Sequence, residues 1–292
     1  MNVSVKSLSA EMIFMSRLVE KEVQGHDSKT IAAWGKANAR RHAFILIEIL
    51  KLISNRPESC SEKPLRILNA GGIGNGSQDF CLVDALKNRG ITNDWTVMDL
   101  ANNPLLNNDF FAGKLKELSI TLSHVDYTQE LDLVRNDVPA GSWDVVLFTE
   151  IAEHLDYSAF LKALKFCKDS LAPGGILIIT TPNLLYLRNR IMFFCGVADG
   201  PSLFFKDRIE DIDTYFGHII YYDPKRLSRI LNSLGLSVLT VKTFCYGHGP
   251  LSRLKRWIAS LINAVSSVFS YGGQNIIITA RNNVDIHARL DD

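Results

Sequence analysis

The chain has 292 residues, 47% hydrophobic and 22% charged, which suits one large globular domain with elaborations or two small ones. Its 32 Lys and Arg nearly balance 31 Asp and Glu, so no overall field recommends nucleic acid or an acidic polymer as a partner. Cys60, Cys81, Cys167, Cys195 and Cys245 form no C-x-x-C pair, the start lacks the pattern of a secretion signal, and no apolar run is long enough to span a bilayer; a cytoplasmic protein is expected, with contact at a membrane surface left open.

Residues 5–24 and 28–54 read as helices, the second with a broad apolar face that includes Ile31, Trp34, Phe44, Ile45 and Ile49. They form an expected helical cap over 1–56. A linker containing Pro57 leads to a main domain over 64–292. There, strands are expected at about 65–70, 94–99, 119–125, 143–149, 175–181, 236–244 and 274–281, with helices at about 77–89, 103–118, 156–171, 184–195 and 224–234. Runs such as Val145–Phe148 and Ile176–Ile179 are apolar on both faces, as in strands buried between two helical layers. The fold class is therefore α/β, a doubly wound, seven-stranded, mostly parallel sheet whose ligand crevice lies at the carboxyl ends of the strands. Segments 196–222 and 250–271 break the alternation and read as insertions, the first a loop or lid with an acidic patch from Asp207 to Asp213.

The stretch Leu65–Ser77, LRILNAGGIGNGS, is a strand, a glycine-rich turn and a helix start. Such a turn lets backbone approach a nucleotide-like ligand at a helix N-terminus, although glycine turns also occur where nothing binds. Strand two ends in Asp99-Leu100, where a carboxylate is placed to accept ribose hydroxyls; the competing reading is a solvated strand end. Strand three ends in His124-Val125-Asp126-Tyr127, where a carboxylate and a backbone N–H suit an adenine edge or merely cap the next helix.

Two further stretches are Ser142-Trp143-Asp144-Val145-Val146-Leu147-Phe148-Thr149-Glu150-Ile151-Ala152-Glu153-His154-Leu155 and Leu171-Ala172-Pro173-Gly174-Gly175 running to Thr181-Pro182-Asn183. With these the sequence resembles the class I S-adenosylmethionine-dependent methyltransferases, over roughly 64–245 and the last strand. The resemblance implies the Rossmann-like methyltransferase fold and S-adenosyl-L-methionine as cofactor. It assigns the methionine part to the loop with Asn69, Gly71, Gly72 and Gly74, the ribose to Asp99 beside Leu100, the adenine to Asp126 and Tyr127, and the edge of the transferred methyl to Thr149 and Glu150. The loop departs from the family's acid followed by alternating glycines. Placing Asn69 at the acid puts Ile73 and Asn75 at the later glycines, whereas aligning Gly72, Gly74 and Gly76 puts Ala70 at the acid.

Glu150, Glu153 and His154 are spaced i, i+3 and i+4, which on a helix start turns all three to one side. One reading is that they satisfy neighbouring backbone and orient a loop. The other adds His218, and the set is then similar to the two-glutamate, two-histidine metal site of small-RNA 3′-end 2′-O-methyltransferases, while E-x-x-E-H also resembles ubiquinone-pathway O-methyltransferases. Two carboxylates and two imidazoles suit Mg²⁺, Mn²⁺ or Zn²⁺; without a metal, His154 or His218 is the candidate base.

The cluster favours transfer to a hydroxyl, a poor nucleophile at neutral pH, on a small-molecule, glycan or lipid-linked acceptor. A degenerate relative that binds cofactor or a partner without turnover is the competing reading, resting on the irregular loop. Apolar positions over 251–270 keep helical spacing after Arg253, Lys255 and Arg256, so that helix either covers the core or lies on an anionic membrane.

Overall fold

A computed structural model describes residues 4–56, 63–99, 103–124, 138–196, 218–247, 252–266, 268–269 and 271–283. Leu100, Asp126, Tyr127, Cys60 and most of the segment expected to form a lid lie outside those residues.

In chain order the elements are α1 (Val5–Glu22), α2 (Ser28–Ser54), β1 (Leu65–Asn69), α3 (Ser77–Lys87), β2 (Asn93–Asp99), α4 (Asp109–Leu118), β3 (Ile120–His124), β4 (Trp143–Thr149), α5 (Tyr157–Ser170), β5 (Leu171–Pro182), α6 (Leu187–Phe194), α7 (Pro224–Ser233), β6 (Leu236–Phe244), α8 (Arg253–Ser266) and β7 (Asn275–Asn282). One sheet carries all seven strands in the order β3-β2-β1-β4-β5-β7-β6, with β7 antiparallel to both neighbours. The order reverses between β1 and β4, so a crevice opens at their carboxyl ends.

Alternating residues send β1 into two cores. Leu65 and Ile67 join the layer that includes α1 to α4, and Leu68 joins the one that includes α5 and α7. The first core is continuous with the N-terminal helices: Leu8, Met12 and Val19 of α1 and Ala43, Leu46 and Ile49 of α2 pack with Phe80, Cys81 and Val83 of α3. Glu48 of α2, buried, accepts from Lys51 and Lys242 at 2.7 and 2.9 Å, and Phe44 stacks on Phe244 with ring centroids 4.3 Å apart. The stretch expected as a cap over 1–56 therefore shares one core with the sheet.

Local chemistry sets the element ends. Ser4, Asp27, Asn108, Asp156 and Asp223 each cap a helix by accepting a backbone N–H of its first turn. The helix expected over 103–118 is divided: Pro104–Asn107 forms a 3₁₀ turn and Asn108 recaps the chain as α4. Strand β5 begins at Leu171, earlier than expected, because Leu171 pairs with Trp143 before a register shift across the Pro173-Gly174-Gly175 bulge. A Cβ at Gly175 would sit 2.8 Å from Trp143 O, so only glycine lets these strands close. Among the described residues no helix is long and apolar enough to cross a membrane.

Candidate active site

The glycine loop leaves β1 at the switch point. Asn69, fully buried, is its anchor: Oδ1 accepts from Gly71 N at 2.9 Å, and Nδ2 donates to Gly72 O at 3.0 Å and to both oxygens of Asp79 at 2.9 and 3.1 Å. Trp95 Nε1 donates to the same carboxylate at 2.8 Å. Burial nonetheless pushes the Asp79 carboxyl up to about 7. Asn69 thus faces into the fold and shapes the loop from behind.

Three glycines make the cradle. A Cβ at Gly71 would lie 2.8 Å from Thr149 O and 3.0 Å from Thr149 N, so a side chain there would drive the loop off the end of β4. Gly72 and Gly74 take positive φ, 79° and 51°, where glycine is unstrained. Among the described residues nothing accepts from the backbone N–H of Gly72 or Gly74. Asp99 lies beyond Gly72, its Oδ1 3.8 Å from where a Cβ would stand, with Oδ2 accepting from Asn103 Nδ2 at 2.7 Å.

A cavity of about 440 Å³ lies over this loop, a size that suits a small organic ligand. Its floor includes Gly71, Gly72, Ile73, Gly74, Gln78 and Thr149; its roof is Glu20, Gln24 and His26 near the α1–α2 turn and Trp34, Asn38 and Arg41 of α2. Gln78 Nε2 holds Thr149 Oγ1 at 2.9 Å, and Asn38 and His26 hold the two oxygens of buried Glu20 at 2.8 and 2.7 Å. In the sequence Trp34 reads only as part of the apolar face of α2, and the other roof residues carry no site motif of their own. The one available signal was polar Asn38 and Arg41 interrupting an otherwise apolar helix face.

The cavity ends at Glu150. This residue has φ 55°, and only a three-residue 3₁₀ turn, Ala152–His154, follows it. The helix start that would have turned Glu150, Glu153 and His154 to one side is therefore not formed. Glu150 Oε1 accepts from Thr180 Oγ1 and Asn275 Nδ2, both at 2.8 Å, and Oε2 lies 3.5 Å from Arg41 Nη1. Glu153, 1% exposed, accepts from Thr181 Oγ1 at 2.9 Å.

The backbone brings His218 to the same place. Glu153 O accepts from the N–H of Ile219 at 2.6 Å, and the His154 and His218 rings meet edge to face with centroids 4.9 Å apart. One ligand atom from each of Glu153, His154 and His218 lies within 4.8 Å of the others; Glu150 is outside that group. Burial, then the Glu150 charge, pushes the Glu153 carboxyl up to about 8. Burial, then His154, lowers His218, so its imidazole is neutral at pH 7. His218 Nδ1 lies 3.0 Å from Tyr221 Oη, and its Nε2 lies 4.0 Å from Glu153 Oε1, too far for a hydrogen bond.

The family model described as a methyltransferase domain matches residues 50–241 of the chain. Among solved structures, the chain is similar to the CMeT domain of a citrinin polyketide synthase, with 16% identity, 94% of this chain and 65% of that chain covered, and a TM-score of 0.53. It is also similar to a protein from Galdieria sulphuraria designated a sarcosine dimethylglycine methyltransferase, with 14% identity, 92% and 98% coverage and a TM-score of 0.51. An S-adenosylmethionine-dependent methyltransferase from Archaeoglobus fulgidus matches at 17% identity over 90% and 98% of the two chains, with a TM-score of 0.47. No curated protein matches the chain.

Proposed function

The chain belongs to the class I S-adenosylmethionine-dependent methyltransferase family, and from that premise we propose that it methylates a hydroxyl oxygen of a small-molecule, saccharide or lipid-linked acceptor. The residues present fit the cofactor. Gly71 lets the loop lie against the end of β4, Gly72 leaves the space a side chain would fill, the N–H groups of Gly72 and Gly74 are available to a carboxylate, and the Asp99 carboxylate beyond Gly72 is placed for a ribose. Bound there, the cofactor supplies a methyl group on a sulfonium, already a good leaving group.

What the protein adds is alignment, exclusion of water and handling of one proton. The α1–α2 residues, Trp34 among them, wall the cavity above the cradle, and closing it over bound cofactor is how they would exclude water. The observation that carries the oxygen reading is the grouping of Glu153, His154 and His218, behind Glu150 rather than in the cavity lining, close enough that the Glu150 charge acts on both Glu153 and His218. A base or metal matters more for a hydroxyl, a poor nucleophile at neutral pH that must lose its proton as it attacks, than for an amine that is nucleophilic once neutral. In this reading neutral His218 takes that proton, Tyr221 orients its ring, and Glu150 is a positioning residue fixed by Thr180 and Asn275.

The same three donors favour a second reading. A buried carboxylate and two imidazoles fit Zn²⁺ or Mn²⁺ better than Mg²⁺, which prefers oxygen donors. Held by Glu153, His154 and His218, such an ion would lower the pKa of the acceptor hydroxyl.

The test is transfer of a labelled methyl from the cofactor to extracts of cells lacking the protein. Label found in an ether is expected; label found only on nitrogen or carbon would overturn the oxygen assignment. A screen for metabolites or glycans that lose a methyl group in such cells identifies the acceptor.

A further inference from the structure

Helix α8 turns its apolar stripe away from the protein. Leu254, Trp257, Ile258, Leu261 and Val265 recur at three- and four-residue steps and all are exposed, Leu254 at 68% and Trp257 at 65%. The side toward the fold carries Ala259, Ile262, Asn263 and Ser266 instead, with Asn263 Oδ1 accepting from Tyr186 Oη at 2.8 Å. A helix whose stripe serves the core has the reverse arrangement. Helix α6 packs beside it and adds Ile191, Phe193 and Phe194, the last 91% exposed. An apolar surface of this extent marks an interaction site.

Charge identifies the partner. Helix α6 carries Arg188 and Arg190, α8 begins Arg253-Leu254-Lys255-Arg256, and neither helix contains an Asp or Glu. Two helices with exposed apolar and aromatic side chains, whose sequences hold basic and no acidic residues, have the composition of helices lying at the headgroup boundary of an anionic bilayer. We propose that α6 and α8 form a platform that seats the protein on an anionic lipid surface. A second copy is a poorer occupant, because a two-fold contact would bring together two helix pairs whose charged residues are all basic.

The platform adjoins the candidate site through Asn183. Its Nδ2 donates to Tyr271 O and Gly273 O, at 2.8 and 2.7 Å, in the connection from α8 to β7. Two residues earlier on β5, Thr181 holds Glu153. Docking would therefore present the Glu153/His218 end toward molecules held at the interface. The proposal does not depend on which acceptor is methylated.

Cosedimentation of the full chain with vesicles tests it, using neutral phosphatidylcholine alone and with about 30% phosphatidylglycerol. Binding to the anionic vesicles is expected, weaker by about tenfold or more on neutral vesicles and in about 0.5 M salt. The double variant Phe194→Ser with Trp257→Ser should lose binding by about tenfold or more, and Lys255→Glu several-fold, both with unchanged cofactor affinity by calorimetry. That calorimetry separates failure of docking from failure of the enzyme reading. Absent binding, equal binding by wild type and the double variant, or a dimer in sedimentation velocity that the double variant abolishes without any vesicle binding would each overturn the proposal.

Discussion

Asn69 Nδ2 sits 2.9 and 3.1 Å from the two oxygens of Asp79, so the residue at the end of β1 is committed to a buried carboxylate behind the glycine loop. The Asp79 carboxyl titrates near 7 in the folded protein against an ordinary 3.8. The folded state thus holds the proton more tightly. The stability this confers is complete below about pH 4 and is lost as pH rises through about 7, by up to about 4 kcal/mol. Urea unfolding at pH 5 and pH 8 should show a drop that is shallower in Asp79→Asn; equal drops in both proteins would refute the assignment. Asn69→Ala removes donors from Asp79 and the acceptor of Gly71 N, and should cost about 2 to 4 kcal/mol.

The two ends of the loop should respond differently to the same methyl. Gly71→Ala meets the Thr149 backbone at 2.8 Å and should weaken cofactor binding by about tenfold or more. Gly74→Ala meets nothing within 4 Å and carries only the strain of its positive φ, about 1 kcal/mol, so cofactor affinity should change by less than about threefold. Calorimetry with S-adenosylhomocysteine reads both.

His218→Ala should lower kcat by about 10² to 10⁴ and leave S-adenosylhomocysteine affinity unchanged, because a base acts on the acceptor. Since burial and His154 hold His218 below its ordinary 6.5, the acidic limb of the rate profile should fall below that pH. Chelation separates the two readings of the trio. A rate that survives the chelator assigns His218 as base, and a rate lost to it and restored by Zn²⁺ or Mn²⁺ assigns the ion.

Removing residues 1–55 should abolish folding. Leu8, Met12 and Val19 of α1 and Leu46 and Ile49 of α2 are part of the core that contains Phe80 and Leu147. The truncated chain is expected to show no cooperative transition in circular dichroism; a soluble, cooperatively melting product would make the first two helices a separate cap.

The sheet was legible because Val145–Phe148 and Ile176–Ile179 are apolar on both faces, which few other arrangements tolerate. The helix proposed over 103–118 was too long because Pro104 fits a first turn without committing the chain to a continuous helix, and Asn108 supplied a second cap. At Glu150 the spacing pointed to a helix, but the left-handed φ and the Thr180 hydrogen bond belong to the strand pairing, which spacing does not encode. Periodicity defined the stripe of α8 and was blind to its direction, since the same five positions can face core or solvent. The place of Trp34, Asn38 and Arg41 in the cavity wall is not legible for a related reason: which side of α2 faces the glycine loop is fixed by tertiary packing.

β7 enters the sheet between β5 and β6, although both are synthesised before it. Until Asn275 leaves the ribosome, β5 presents an open edge, β6 has no neighbour, and Glu150 lacks one of its two donors. The strands that flank the glycine loop are complete by Thr149, more than a hundred residues sooner. Translation thus assembles the glycine-loop end of the crevice first and the surroundings of Glu150 last, and a chain stopped short of β7 would expose the β5 edge to pairing with other chains.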